Sequence, residues 1–190
     1  QAGMMDAIHE PGIHTLVFMT SSQIGKTTLL ENIIGYFICY DPAPVLLVFP
    51  TEAMAESFSK DRLAPMIRDT DSLQQRFNQS KSRDSSNTIL HRKFAGGHLT
   101  MIGANSPASL ASRPIRIVLC DEVDRYPASA GAEGDPVNLA IKRTATFWNR
   151  RIVLTSTPTI KGLSRIERAF LGSDQRRYYI YCPHCQHAQP

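Results

Sequence analysis

The chain has 190 residues, of which 42% are hydrophobic and 20% charged, and its formal net charge is +4 at pH 7. This length predicts one domain, or one domain with a small appendage, that can bury a core without cross-links. The composition is typical of a soluble globular domain. In addition, no apolar run approaches the roughly 18 residues of a membrane-spanning helix.

The predicted elements alternate between strands and helices along the chain. Near-continuous apolar runs predict buried strands at 16–19, 45–49, 115–120 and 151–155. A final strand is predicted at 177–181. Apolar stripes at helical spacing predict helices at 29–37, 51–68, 135–146 and 163–170. The pair Gly96-Gly97 predicts a hairpin between 88–94 and 98–103. We therefore expect an α/β fold with a mainly parallel central sheet flanked by helices.

The turn after the first strand has the composition of a phosphate-binding loop. Residues 21–27 match the latter half of the P-loop pattern, with Thr20 where the pattern has its first glycine. Gly25 lets the backbone close around phosphate oxygens, while Lys26 is expected to reach the β- and γ-phosphates of ATP and Thr27 to coordinate Mg²⁺. The predicted ATP-binding residues are Ser21, Ser22, Gln23, Ile24, Gly25, Lys26, Thr27 and Thr28.

The strand at 115–120 ends in two carboxylates, Asp121 and Glu122. Ligands gather at the carboxyl ends of strands in open α/β sheets, so these groups are placed for a Walker B role. Asp121 is expected to hold Mg²⁺ through water, and Glu122 to orient and polarise the attacking water. Beside the phosphate-binding turn, this pair predicts ATP hydrolysis, with a surface acidic turn as the alternative.

Two further features extend the predicted site. Arg113, eight residues before Asp121, is a candidate arginine finger for the γ-phosphate of its own or a neighbouring subunit, with a structural surface arginine as the alternative. Thr155, Ser156 and Thr157 end the next strand and are candidates for sensing the γ-phosphate and relaying its loss.

The positive charge is concentrated in one stretch of the chain. Between 142 and 177 there are nine basic residues and two acidic ones, a local charge of +7, whereas the rest carries −3. Such a stretch is typical of a surface that contacts a polyanion, although a solvated face explains it equally well. The candidate residues for contact with a polyanion are Lys142, Arg143, Arg150 and Arg151.

Cys182 and Cys185 form a C-x-x-C pair near the end of the chain. The spacing is that of half a Zn²⁺ site, which needs two more ligands. His184, His187 or a second pair further along the protein are candidates for those ligands. We favour zinc over free thiols, and a redox role is less attractive because no thioredoxin-like βαβ pattern precedes the pair.

These stretches together resemble the ATPase domain of the terminase large subunit, the DNA-packaging motor of tailed bacteriophages, and are most similar to its lambda-like family. The matching stretches cover nearly the whole chain in the family's order: 21–27, 103–107 with 112–114, 121–124, 154–159 and 182–185. Family members often carry arginine within the phosphate-binding turn, where this chain has Ser21 and Ser22. Arg113 is therefore the better finger candidate.

The resemblance implies an additional-strand, RecA- and helicase-like P-loop NTPase fold over 1–176. It implies that 177–190 begins a linker or zinc-knuckle segment leading to a Mg²⁺-dependent nuclease domain that these residues do not contain. The implied function is ATP hydrolysis coupled to translocation of double-stranded DNA into a procapsid in the host cytoplasm, with no membrane partner. The implied partners are the terminase small subunit, the portal protein and the other identical subunits of a pentameric ring.

Two other functions fit parts of the pattern. The first is another nucleic-acid-dependent P-loop ATPase, such as a superfamily 2 helicase or a AAA-type protein; a helicase would carry a second RecA-like lobe. The second is a non-catalytic zinc-ribbon module that binds nucleic acid. Stoichiometric zinc without ATP binding would indicate that module.

Overall fold

A computed structural model describes residues 2–78, 87–110 and 113–189 of the chain. The strands are Thr15–Met19 (β1), Val45–Phe49 (β2), His91–Phe94 (β3), Gly97–Gly103 (β4), Ile117–Cys120 (β5), Arg151–Ser156 (β6), Ile180–Tyr181 (β7) and Ala188–Gln189 (β8). The helices are Ala2–Asp6 (α1), Lys26–Cys39 (α2), Glu52–Phe58 (α3), Ala64–Arg68 (α4), Asp71–Asn78 (α5), Pro107–Leu110 (α6), Pro136–Lys142 (α7) and Arg165–Leu171 (α8).

Six strands form one sheet in the order β1-β6-β5-β2-β4-β3. The first five of these strands run parallel to their neighbours, and β3 pairs antiparallel with β4 in the predicted hairpin. The additional strand, β6, therefore lies between β1, which leads into the phosphate-binding turn, and β5, which leads into the acidic pair. The predicted mainly parallel sheet with flanking helices is confirmed.

Alternate side chains of the central strands enter two separate hydrophobic cores. Leu47 and Leu119 pack with α2, α3 and α5, whereas Val48 and Cys120 pack with α6, α7 and α8. All five residues of β2 are buried, as expected for a strand with helices over both of its faces. Helices cover both faces of the sheet, and the loops that carry the predicted motifs leave its carboxyl edge.

The predicted helix at 51–68 is present with an internal change of geometry. Thr51 begins it as the N-cap, since its hydroxyl oxygen accepts a hydrogen bond from the Met54 N–H at 3.3 Å. A π-helical turn at Ser59–Leu63 separates α3 from α4. Pro65 follows this turn and has no N–H for the ordinary helical ladder.

Several predicted boundaries were wrong, including those of two elements in the last third of the chain. Helix α7 ends at Lys142 rather than near 146, because the hydroxyl and the N–H of Thr144 both donate to the Ile141 carbonyl and turn the chain out of the helix. The strand expected at 177–181 is reduced to β7, which pairs only with β8 outside the main sheet. In the described ranges, no helix is both long and apolar enough to cross a membrane.

Candidate active site

Three motifs that lie far apart in the sequence meet at the carboxyl edge of the sheet. The phosphate-binding turn follows β1, the residues 155–157 end β6, and the acidic pair follows β5. Because β1, β6 and β5 are parallel neighbours, their carboxyl ends lie side by side. The strand order thus brings together the groups that the sequence places in separate turns.

The phosphate-binding turn is open to solvent and shaped by two left-handed residues. Gln23 has φ of 60° and Gly25 has φ of 87°, and Gly25 is the N-cap of the 14-residue helix α2. Left-handed turns direct successive N–H groups into one concavity, which suits a phosphate. The side chains from 21 to 24 are exposed, as is Thr28 on the first turn of α2.

Lys26 connects all three motifs. Its side chain is 8% exposed, and its Nζ donates to the Ser21 carbonyl at 3.3 Å and to the Thr157 hydroxyl at 2.5 Å. The same Nζ lies 3.4 Å from Glu122 Oε1. A buried ammonium requires such partners, and here they come from the turn, the β6 end and the β5 end.

Asp121 and Thr155 form a buried pair between neighbouring strands. The Thr155 hydroxyl donates to Asp121 Oδ1 at 2.6 Å, and Asp121 is only 6% exposed. Burial raises the pKa of Asp121 above its ordinary value, while the bond from Thr155 opposes the rise. The Asp121 carboxylate and the Thr27 hydroxyl are hard oxygen donors of the kind that Mg²⁺ prefers, so this donor set fits the ion.

The Thr155→Val substitution tests this pair. Removing the hydroxyl takes the side-chain donor from a buried carboxylate, and we expect the free energy of unfolding to fall by about 1–3 kcal/mol. Chemical denaturation measures this change. The Thr159→Val substitution is the matched control, because the Thr159 hydroxyl donates to Asp124, a half-buried carboxylate that keeps the backbone N–H donors of Thr159 and Ile166. Equal losses in the two variants would contradict a special role for the buried pair.

Glu122 is held in a left-handed backbone conformation, with φ of 53° and ψ of 49°. This conformation costs a non-glycine residue of order 1–3 kcal/mol and is concentrated at functional sites. Its carboxylate lies between two cations, with Oε1 3.4 Å from Lys26 Nζ and Oε2 3.8 Å from Arg125 Nε. Sequence reasoning missed Arg125, whose spacing of three residues from Glu122 was the available signal.

Arg113 does not lie at this site. It lines a cavity of about 340 Å³ with His91, Thr100 and Arg143, on the half of the sheet formed by β2, β4 and β3. No residue from the phosphate-binding turn or from the end of β5 is among the lining residues. Position 112, part of the stretch that resembles the terminases, lies outside the described residues.

The basic residues at 142, 150 and 151 differ in how exposed they are and in what they contact. Lys142 is exposed at the end of α7, while Arg150 precedes β6. Arg151 is half-buried, and its Nε donates to the Ile8 carbonyl at 2.7 Å. These groups lie toward the amino end of β6, away from the carboxyl edge that carries Lys26.

The cysteine pair lies in the turn between β7 and β8. The Cys182 N–H donates to the His187 carbonyl at 3.0 Å, and the backbone N–H groups of Cys185 and His184 lower the pKa of the Cys182 thiol. Both thiols are free. Over the described ranges, no three His, Cys, Asp or Glu side chains are grouped to hold a metal ion, so the zinc prediction gains no support.

Several known proteins are similar to this chain. It is 30% identical over 192 residues to the terminase large subunit of Enterobacteria phage P21 and 28% identical to that of Escherichia phage lambda. Each alignment covers 100% of this chain and 30% of the relative, so the chain spans about 30% of the length of these curated relatives.

This chain is also similar in fold to solved structures, and it matches a protein family over its whole length. The fold is similar to a mutant form of the Thermus phage P74-26 large terminase ATPase domain, with a TM-score of 0.64, 20% identity and coverage of 98% of this chain and 76% of that chain. It is also similar to the large terminase of the thermophilic bacteriophage D6E, with a TM-score of 0.54, 14% identity and coverage of 82% and 38%. Residues 1–190 match the family described as phage terminase large subunit gpA, ATPase domain. The chain therefore belongs to the family of phage terminase large subunit ATPase domains.

Proposed function

We propose that this chain binds and hydrolyses ATP as the motor domain of a phage terminase, and that hydrolysis drives double-stranded DNA into a procapsid. The observation that carries the proposal is Lys26, whose ammonium group contacts the phosphate-binding turn, Glu122 and Thr157 at once. Membership of the terminase ATPase family supports the choice of ATP and of a phage packaging role.

The contacts of Lys26 define how the site responds to nucleotide. When phosphates enter the turn, Lys26 binds their oxygens and withdraws from Glu122, whose carboxylate then holds the attacking water. Thr27 and Asp121 would hold Mg²⁺, which would supply positive charge to the phosphates when bound. The ATP-binding turn and the acidic pair therefore work through an exchange of partners at one ammonium group.

We infer that the coupling residues, Thr155, Ser156 and Thr157, respond to this exchange. Thr155 contacts Asp121, the Ser156 hydroxyl accepts a hydrogen bond from the Asp124 N–H at 3.3 Å, and Thr157 contacts Lys26. Each of the three side chains thus touches a different group at the site. Loss of the γ-phosphate would change the hydrogen-bond partner of Lys26. Through the bond between Lys26 and Thr157, it would also change the conformation at the end of β6.

We place Arg113 at the site of a neighbouring subunit rather than its own. Within its own chain it lies in the cavity beside His91 and Arg143, on the other half of the sheet from Lys26. In a closed ring of identical subunits each chain presents one side to the next. Arg113 can then stabilise charge developing on the neighbour's γ-phosphate as an arginine finger.

The proposed DNA surface is formed by Lys142, Arg143, Arg150 and Arg151. Contacts to phosphates carry no direct sequence information, which suits a motor that must move any sequence. Lys142 is the exposed member of the set, whereas Arg151 also fastens β6 to the N-terminal segment through the Ile8 carbonyl. We therefore expect Lys142 and Arg150 to contribute to DNA binding without a structural role.

The combined Lys142→Ala and Arg150→Ala variant tests both DNA binding and the coupling of DNA to ATP turnover. The plot of log affinity against log salt should become shallower by roughly 0.9 for each DNA phosphate that the variant no longer neutralises, because fewer counterions are released. Stimulation of ATP turnover by double-stranded DNA should weaken in parallel. Fluorescence anisotropy over a salt series measures the first effect.

The control for that experiment is Lys161→Ala, which removes a positive charge from the exposed loop after β6. It should leave the salt slope unchanged. An unchanged slope in the double variant would show that the basic stretch is a solvated face. It would remove these residues from the proposed function.

The proposal extends to a longer protein that would contain this chain as one domain. The chain spans about 30% of the length of its curated relatives, which leaves room for the nuclease domain expected from the resemblance. The boundary near 176 is supported by β7 and β8, which pair with each other and not with the main sheet. The proposed partners are the terminase small subunit, the portal protein of the procapsid and the other subunits of a pentameric ring, in the host cytoplasm.

A further inference from the structure

Asp124, two residues after Glu122, binds the chain segment that follows the coupling residues. Its Oδ2 accepts hydrogen bonds from the N–H and the hydroxyl of Thr159 at 3.0 and 3.1 Å. Its Oδ1 accepts from the N–H of Ile166, in the first turn of α8, at 2.8 Å. A single carboxylate therefore ties the acidic turn to both ends of the loop that connects β6 to α8.

The hydrogen bonds keep Asp124 ionised. Burial by itself raises the pKa of a carboxyl, but bonds from Ser164, Ile166 and Thr159 outweigh it and lower the pKa of Asp124 below its ordinary value. Bonds to an ionised acceptor are roughly twice as strong as neutral ones. The link between the acidic turn and α8 is therefore firm at neutral pH.

Arg165, the first residue of α8, holds the same turn from the other direction. Its Nη1 donates to the carbonyls of Val123 and Tyr126 at 3.2 and 2.8 Å, and its Nε donates to Asp135 Oδ2 at 3.0 Å. The Tyr126 hydroxyl is in turn bonded to the Val48 carbonyl in the core at 2.7 Å. The acidic turn and the start of α8 thus form one connected unit.

Helix α8 also rests on the strand that leads into the phosphate-binding turn. Ile166 lies in the same hydrophobic core as Val17 and Met19 of β1. The loop before α8 carries two exposed apolar side chains, Ile160 and Leu163. Because hydrogen bonds join the acidic turn directly to this loop and helix, a movement of the turn would also move them.

We propose that Asp124 is a positioning residue that couples the nucleotide state of the site to the segment 157–171. This inference rests on the proposed function, because the signal it transmits is ATP occupancy at Lys26 and Glu122. Asp124 does not touch the reacting atoms. It acts by fixing the acidic turn, and hence Glu122, to the loop and helix that follow β6.

Glu167 provides a matched control for this role. Its Oε2 accepts a hydrogen bond from the Gly162 N–H at 2.7 Å, so it supports the same loop. Its own N–H donates to the Ser164 hydroxyl at 3.0 Å, so both of these bonds stay within the loop and α8. Removing either carboxylate removes one loop anchor, but removal of Asp124 also breaks a connection to the turn that carries Glu122.

The experiment compares hydrogen exchange of the segment 157–171 with and without AMP-PNP and Mg²⁺, in the protein that carries this chain. In the unmodified protein, nucleotide should slow exchange of this segment. In Asp124→Ala the slowing should be abolished and kcat for ATP should fall at least about fivefold, with KM and AMP-PNP affinity unchanged. Glu167→Ala should keep the exchange response and kcat.

The Asp124→Asn variant covers the case in which the alanine variant fails to fold. It keeps an oxygen for the Ile166 N–H but turns an amide N–H toward the Thr159 donors, so we expect a reduced response. A full response in the folded Asp124 variants, an equal loss in Glu167→Ala, or no response in the unmodified protein despite AMP-PNP binding would overturn the inference alone. Failure of AMP-PNP to bind the unmodified protein would overturn the proposed function and this inference with it.

Discussion

Replacing Glu122 with glutamine should stop ATP turnover while leaving ATP bound. The amide keeps the size of the carboxylate but cannot accept a proton from the attacking water, and such proton transfer is worth about 10²- to 10⁴-fold in rate. Lys26 keeps its bonds to the Ser21 carbonyl and the Thr157 hydroxyl, so the affinity for ATP should be retained. Phosphate release at saturating ATP, together with equilibrium binding of labelled ATP, measures the two effects separately.

The glutamine variant also removes a negative charge, which a control must reproduce. Glu133→Gln makes the same change on the exposed loop before α7 and should leave turnover intact. Turnover in Glu122→Gln close to that of the unmodified protein would remove Glu122 from its proposed role. A loss of ATP binding in the variant would instead show that the carboxylate supports Lys26 in the bound state.

Replacing Arg113 with alanine should lower ATP turnover by roughly 10³-fold or more in the assembled ring, the range known for arginine fingers. ATP binding by each subunit should persist, because Arg113 lies in a cavity away from the Lys26 site of its own chain. The rate should therefore depend on protein concentration in the unmodified protein and lose that dependence in the variant.

Mixing two inactive variants distinguishes a neighbour's arginine from one acting within its own subunit. Arg113→Ala keeps Glu122, while Glu122→Gln keeps Arg113, so an interface between them contains one complete site if the arginine acts across subunits. Turnover should then reappear on mixing. The control mixture pairs Arg113→Ala with the double variant that carries both substitutions, and it should stay inactive. Absence of recovery in the first mixture would place Arg113 outside the neighbour's site.

Most strands and their buried faces were predictable from local patterns. The apolar run at 45–49 is β2 to the residue, and the Gly96-Gly97 pair lies at the predicted hairpin between β3 and β4. A buried strand needs apolar side chains on both faces, so its composition reports its place in the sheet directly. Turn glycines report the hairpin because few other residues adopt the required backbone angles.

Boundaries set by individual polar contacts were not predictable. Thr144 ends α7 through its bonds to the Ile141 carbonyl, although an apolar periodicity continues past it. The residues after 176 have strand-like composition, yet only β7 pairs, and it pairs with β8. At the end of α7, local hydrogen bonds outweigh the helix propensity of the residues that follow. After 176, the lack of a neighbouring strand outweighs their strand propensity.

The sequence by itself determined which residues form the phosphate-binding turn and the acidic pair, because each motif is local and follows a recognisable strand. Only the tertiary structure decided that β6 separates β1 from β5, that Lys26 reaches Thr157 across 131 positions, and that Arg113 lies elsewhere. The physical reason is that an apolar pattern specifies which faces of a strand are buried but not which strands are its neighbours. Strand order places Lys142 and Arg150 toward the amino end of β6 and the candidate site at the carboxyl edge of the sheet, and Asp124 joins that site to helix α8.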